Sequence, residues 1–124
     1  MSTVKTDNFA PSAGGTSFST NGVSKVWVNF NGTSTVSVNE SNNAASVTDG
    51  GTGSYVVNFT NDMDNINFCS VGIADDSSAS DPTLWPDSAV TRSAGSMAVA
   101  TGSSSSGSYG DRNPISVIVF GELA

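Results

Sequence analysis

The sequence predicts an all-β protein: a single antiparallel β-sandwich of about seven strands, jelly-roll-like or a flattened barrel, preceded by an extended N-terminal arm. Three observations carry this. Ser, Thr, Asn and Gly supply 60 of the 124 residues while Leu occurs twice, which leaves little material for helices. Valine, with 14 copies, is the commonest apolar residue, and β-branched side chains fit a pleated, half-buried surface. The apolar residues also fall in short alternating runs between Gly, Asn, Asp and Ser clusters, so a hydrophobic content of 36% still implies a folded chain.

Residues 1–22 hold Val4, Phe9 and Phe18 as isolated apolar points around Pro11 and Gly14-Gly15, too sparse for a core, and read as the extended arm. The sandwich is expected over residues 23–124. Lys25 to Phe30 alternates, placing Val26, Val28 and Phe30 on one face and Lys25, Trp27 and Asn29 on the other. Asn31-Gly32 follows and predicts a type I′ hairpin turn, with Thr35 to Val38 as the return strand. Ala45 to Thr48, the Gly-rich turn Asp49 to Gly53 and Ser54 to Thr60 predict a second hairpin, with Tyr55, Val57 and Phe59 sharing a face.

The run Ile66 to Ile73 changes face partway, from Ile66/Phe68 to Val71/Ile73, which predicts a β-bulge near Ser70. Residues 74–95 lack alternation and contain four aspartates and two prolines, so a long loop is expected there. Met97 to Ala100 reads as a weak strand, residues 102–110 as a Ser/Gly tip, and Ile115 to Phe120 as the last strong strand.

Charge and composition exclude several classes of function. Four Lys and Arg against 11 Asp and Glu give a net charge of -7, which cannot neutralise a phosphate backbone or dock on anionic headgroups. Neither nucleic acid nor a membrane is expected as a partner. The absence of His removes Ser-His-Asp, Cys-His and His-ligated zinc sites, and the single cysteine, Cys69, permits no intramolecular disulfide. Its apolar strand predicts a buried, inert thiol. No apolar stretch of signal-peptide length opens the sequence and none reaches membrane-spanning length, so cytoplasmic synthesis of a soluble chain is expected.

The remaining candidates are few. Asp62 and Asp64, flanked by Asn61 and Asn65, offer oxygen ligands for a cation such as Ca²⁺, yet Asp and Asn are also ordinary turn residues. No cofactor is expected, and none of the carboxylates is marked as a desolvated acid, so no catalytic residue is assigned. Trp85 and Tyr109, with Asp75 and Asp76, form a possible ligand loop, since exposed aromatics stack on sugar faces; the plain alternative is that Leu84 and Trp85 plug the end of the sandwich. Trp27 points away from the face that Val26 and Val28 bury, which suits contact with another subunit. With Val4, Phe9 and Phe18 it makes the expected oligomer or particle interface.

These residues resemble small structural modules of tailed bacteriophages, especially marine phages, found in tail-fibre-like and other virion proteins. The resemblance rests on Val4-Lys5-Thr6-Asp7-Asn8 with Ser12-Ala13-Gly14-Gly15, on Lys25 to Thr33, on Ala45 to Asp49, on Gly53 to Thr60 and on the closing strand Ile115 to Phe120. It covers about residues 3–73 and that last strand, carries no catalytic motif, and does not extend over residues 74–110. It implies a non-enzymatic virion component, commonly a homotrimer, attached to capsid or tail proteins through the N-terminal arm. A capsid decoration and a fibre tip both fit. A module that reads host surface polysaccharide through its distal loops is the alternative role.

Overall fold

The computed structural model describes residues 8–9, 18–19, 22–76 and 81–124. The strongest alternating runs, such as Val26 to Phe30 and Tyr55 to Phe59, become strands because one face of each finds an apolar partner. Strands β1 (Asn8–Phe9) and β2 (Phe18–Ser19) pair antiparallel, Phe9 opposite Phe18. The remainder of the expected arm, with Val4, lies outside the described residues. Eight further strands follow: β3 (Val26–Asn31), β4 (Ser37–Asn42), β5 (Ala44–Gly51), β6 (Ser54–Phe59), β7 (Cys69–Ala74), β8 (Pro82–Pro86), β9 (Ser96–Ser103) and β10 (Ile115–Phe120).

They form two four-stranded antiparallel sheets, ordered β4-β3-β10-β7 and β5-β6-β9-β8. The all-β sandwich expected from the sequence is therefore present, with eight strands rather than about seven. Val26, Val28, Phe30, Ile115, Val117 and Val119 of the first sheet face Tyr55, Val57, Phe59, Met97 and Val99 of the second, and all are buried. Burying side chains of this size contributes about 1.5–3 kcal/mol each before chain entropy is counted. Edge-to-face contacts join the sheets: Phe30 meets Tyr55 at 5.2 Å between centroids, and Phe59 meets Phe68 at 5.6 Å.

Several local expectations change in tertiary context. β3 and β4 do form a hairpin, but not through a type I′ turn at Asn31-Gly32. Asn31 stays in the strand opposite Ser37, its Oδ1 accepts hydrogen bonds from the Thr33 N–H and hydroxyl, and the positive φ falls at Ser34. Gly32 is required instead for close approach, because a Cβ there would run into the Tyr55 hydroxyl. The second hairpin matches its prediction, with Gly51 opposite Ser54 and positive φ at Gly51 and Gly53. Asn43, also at positive φ, carries the chain from the first sheet to the second, and its side chain is tied to Asn61.

The predicted bulge near Ser70 is absent. β7 begins only at Cys69 and keeps an unbroken register against β10, from Phe120 opposite Cys69 to Ile115 opposite Ala74. The change of face in the sequence marks where the chain leaves the bends at residues 64–66 and the irregular stretch after them and enters the strand. Cys69 is exposed, not buried, because β7 is a sheet edge. Residues 74–95 are not wholly loop, since they contain β8, and the Ser/Gly tip gives its first two residues to β9. β9 is far from weak: it is the central partner of β6 and β8 and is buried on both faces.

Candidate functional site

Two surfaces gather the residues singled out in the sequence. The first is the outer face of the sheet β4-β3-β10-β7. Alternation puts Trp27 on that face, where it lies half-buried opposite Asn42 on one side and Ile118 on the other. Ile118 in turn lies opposite Val71, so Trp27, Ile118 and Val71 form one apolar row across three strands. Val71 is 59% exposed and Ile73, two residues on along the same face, 68%. Nothing in this row is charged. Together these side chains make a contiguous apolar patch on an acidic, polar molecule.

The sequence pointed to Trp27 but missed its neighbours. Their signal was there: Ile118 sits between Val117 and Val119 with no polar alternation, and Val71/Ile73 carry the change of face that suggested a bulge. Phe9 and Phe18 lie opposite each other in β1 and β2.

The second surface lies at the β8 edge of the other sheet, which packs beside β7. Alternation along β8 sends Leu84 inward, where it packs on the core, and Trp85 outward. The two readings of Leu84 and Trp85 thus separate by residue, one side chain plugging the sandwich and the other not. Tyr109 returns across β9, bridging Gly102, and its ring meets that of Trp85 at 5.7 Å and 42°. Gly102 is the residue that permits this crossing, since a Cβ there would collide with the Ser108 carbonyl and the Trp85 ring. The result is an open groove of about 460 Å³ lined by Thr83, Trp85, Ser103, Ser104, Gly107 and Tyr109.

Asp75 and Asp76, expected with these aromatics, are not in the groove. Asp76 pairs with Arg112 at 3.3 Å, and the Asp75 carboxylate accepts the Asp76 N–H. The acid that stands behind the groove wall is Asp81, which the sequence offers only as a further oxygen ligand for a cation beside Asp75 and Asp76. It accepts hydrogen bonds from the Ser103 hydroxyl at 3.0 Å and the Ser105 N–H at 2.8 Å. Hydrogen bonds from Ser105 and Ser103 hold its pKa down at about 2. This staple fixes the loop that forms one wall, and the serine and threonine hydroxyls around the two rings provide polar groups beside an aromatic platform.

Asp62 and Asp64 serve the turn chemistry of their segment: Asp64 accepts from the Asn65 amide, the Asn65 side chain accepts the Asn67 N–H, and the Asp62 carbonyl holds the N–H of Ala124. Among the described residues no three His, Cys, Asp or Glu side chains converge as a metal site. Among the described residues no helix is long and apolar enough to cross a membrane.

Comparison with protein-family models, with curated proteins and with solved structures finds no match for this chain.

Proposed function

We propose that this chain is a non-enzymatic structural component of a bacteriophage particle, a tail-fibre or capsid-decoration protein that contacts its neighbours through non-covalent surfaces and attaches through residues 1–22. The observation that carries the reading is the uncharged row Trp27–Ile118–Val71, a surface suited to another protein on a molecule with net charge -7. The resemblance of residues 3–73 to phage virion modules supports the same role and supplies the expectation of threefold assembly. Peptide mass spectrometry of purified particles of the virus that encodes the chain tests it. The chain is expected at a stoichiometry of many copies, and its absence from the particles overturns the proposal.

A second reading, compatible with the first, is that the groove contacts host surface saccharide. The meeting of Trp85 with Tyr109 favours it, because paired aromatic faces with hydroxyls around them match the apolar and polar sides of a sugar ring. Trp85→Ala is expected to lower binding to host polysaccharide at least tenfold, about 1.4 kcal/mol, in a surface-plasmon titration. Equal binding by both proteins removes the groove from consideration.

A further inference from the structure

We infer that β7 is the surface through which two copies of this chain pair, antiparallel and edge to edge, about a twofold axis. This goes beyond the proposed placement in a particle and does not depend on it, and its twofold pairing replaces the threefold assembly that the resemblance implies. The two sheets have four edges, β4, β5, β7 and β8, and an edge strand offers unpaired backbone groups to any second strand unless something prevents it.

Three of the four carry such a device. β4 holds Glu40, and its register against β3 breaks between Asn29 and Phe30. β5 holds Asp49 and breaks register twice against β6. β8 begins at Pro82 and ends at Pro86, neither of which has an N–H to donate. β7 has none of these. Its sequence, Cys-Ser-Val-Gly-Ile-Ala, is without charge or proline, its register is unbroken over six residues, and Val71 and Ile73 stand largely exposed on it.

Charge identifies the second strand as another β7. Arg92 sits at the start of the strand: its Nη1 donates to the Phe68 carbonyl at 2.9 Å, its Nη2 reaches the Ser70 hydroxyl at 3.5 Å, and the guanidinium lies 4.4 Å from the Phe68 ring centroid. All three partners are neutral. Asp75, exposed, follows the end of the strand. Antiparallel pairing sets the start of one β7 against the end of the other, which brings each Arg92 toward the Asp75 of the second copy, twice over. With Gly72 on the axis, Val71 lies opposite the second copy's Ile73 on the same face, so the row Trp27–Ile118–Val71 continues into the second molecule. An isologous contact needs this self-complementarity, and β7 with its flanks has it. Main-chain hydrogen bonds would supply the affinity and the apolar pairs the register.

Light scattering on the full chain tests the pairing. The expected mass is 25 kDa, twice the 12.5 kDa of one chain. Ile73→Lys, a change on an exposed side chain, is expected to give 12.5 kDa with an unchanged circular dichroism spectrum. Trp27→Ser, two strands in from the edge, should leave 25 kDa. Spin labels on the native Cys69 should report a Cα separation of roughly 20 Å, six strand residues apart across the axis. A wild-type mass of 12.5 or 37.5 kDa overturns the inference, the latter while leaving threefold assembly standing. A dimer abolished by Trp27→Ser and indifferent to Ile73→Lys overturns it as well, by placing the contact on the sheet face.

Discussion

Tyr55 is where the two sheets and two loops are held to one another. Its ring is fully buried against Phe30, and its hydroxyl approaches the Gly32 carbonyl at 3.0 Å and Asp111 Oδ1 at 2.9 Å. A phenol has one proton and both neighbours are acceptors, so the proton is shared between them. The same Asp111 oxygen accepts the Gly53 N–H at 2.7 Å, tying the β5–β6 turn to the segment before β10. Burial, and then the hydrogen bond and charge of Asp111, push the Tyr55 pKa well above the ordinary 10.0. A raised folded-state pKa means that the stabilisation is fully present below pH 10.0 and is lost as pH climbs beyond it. Tyr55→Phe is expected to lower unfolding free energy by about 1.5–3 kcal/mol at neutral pH, the range for a hydrogen bond to a charged group. It should also flatten the decline above pH 10.0. Urea titrations of both proteins at neutral and alkaline pH check the two effects, and a decline of equal steepness in the variant would assign it to other groups.

At the scale of elements, legibility in the sequence followed whether a strand needed only its own pattern or also its neighbours. β3 and β6 were readable because each buries every second residue, as in Val26/Val28/Phe30, and β10 because it is a short, almost wholly apolar run. β8 was hidden: Pro82 to Pro86 has no alternation to display, and a five-residue edge strand needs only the β9 ladder to exist. β9 looked weak because its outward residues are Ala98, Ala100 and Gly102, whose small size is what lets neighbouring chain cover that face. The Asn31-Gly32 turn failed because a contact 23 residues away, from Tyr55, fixed the role of Gly32. The groove was half legible, as Trp85 and Tyr109 stood out as aromatics in polar segments, whereas Asp81 was one turn-type acid among nine aspartates. Its function as a staple does make a prediction. A carboxylate with its pKa lowered from 3.8 to about 2 holds its loop above the higher value and releases it as pH falls through the lower. The Ser105 amide resonance is therefore expected to titrate with a midpoint near 2, and a midpoint at 3.8 would remove the staple.

For the molecule as a whole, the decisive quantity is the balance between a net charge of -7 on each copy and an uncharged apolar edge. Two such bodies about 30 Å apart repel by on the order of 7 kcal/mol in unscreened water, from 332/(εr) for each unit pair. A Debye length of about 30 Å at 0.01 M salt reduces this to on the order of 2–3 kcal/mol, and one of about 8 Å at 0.15 M to a few tenths. The two Arg92–Asp75 approaches act in the opposite sense, but exposed ion pairs are worth only about 0.2–1 kcal/mol each and are screened by the same salt. Repulsion therefore dominates the electrostatics, and association is expected to strengthen on raising salt from about 0.01 to 0.15 M by roughly 10- to 50-fold in Kd. Sedimentation equilibrium across that range measures it. A contact that weakened with salt would mean that charge pairs, and not β7 with Val71 and Ile73, hold the copies together, and the opposite slope would place the apolar edge at the centre of assembly.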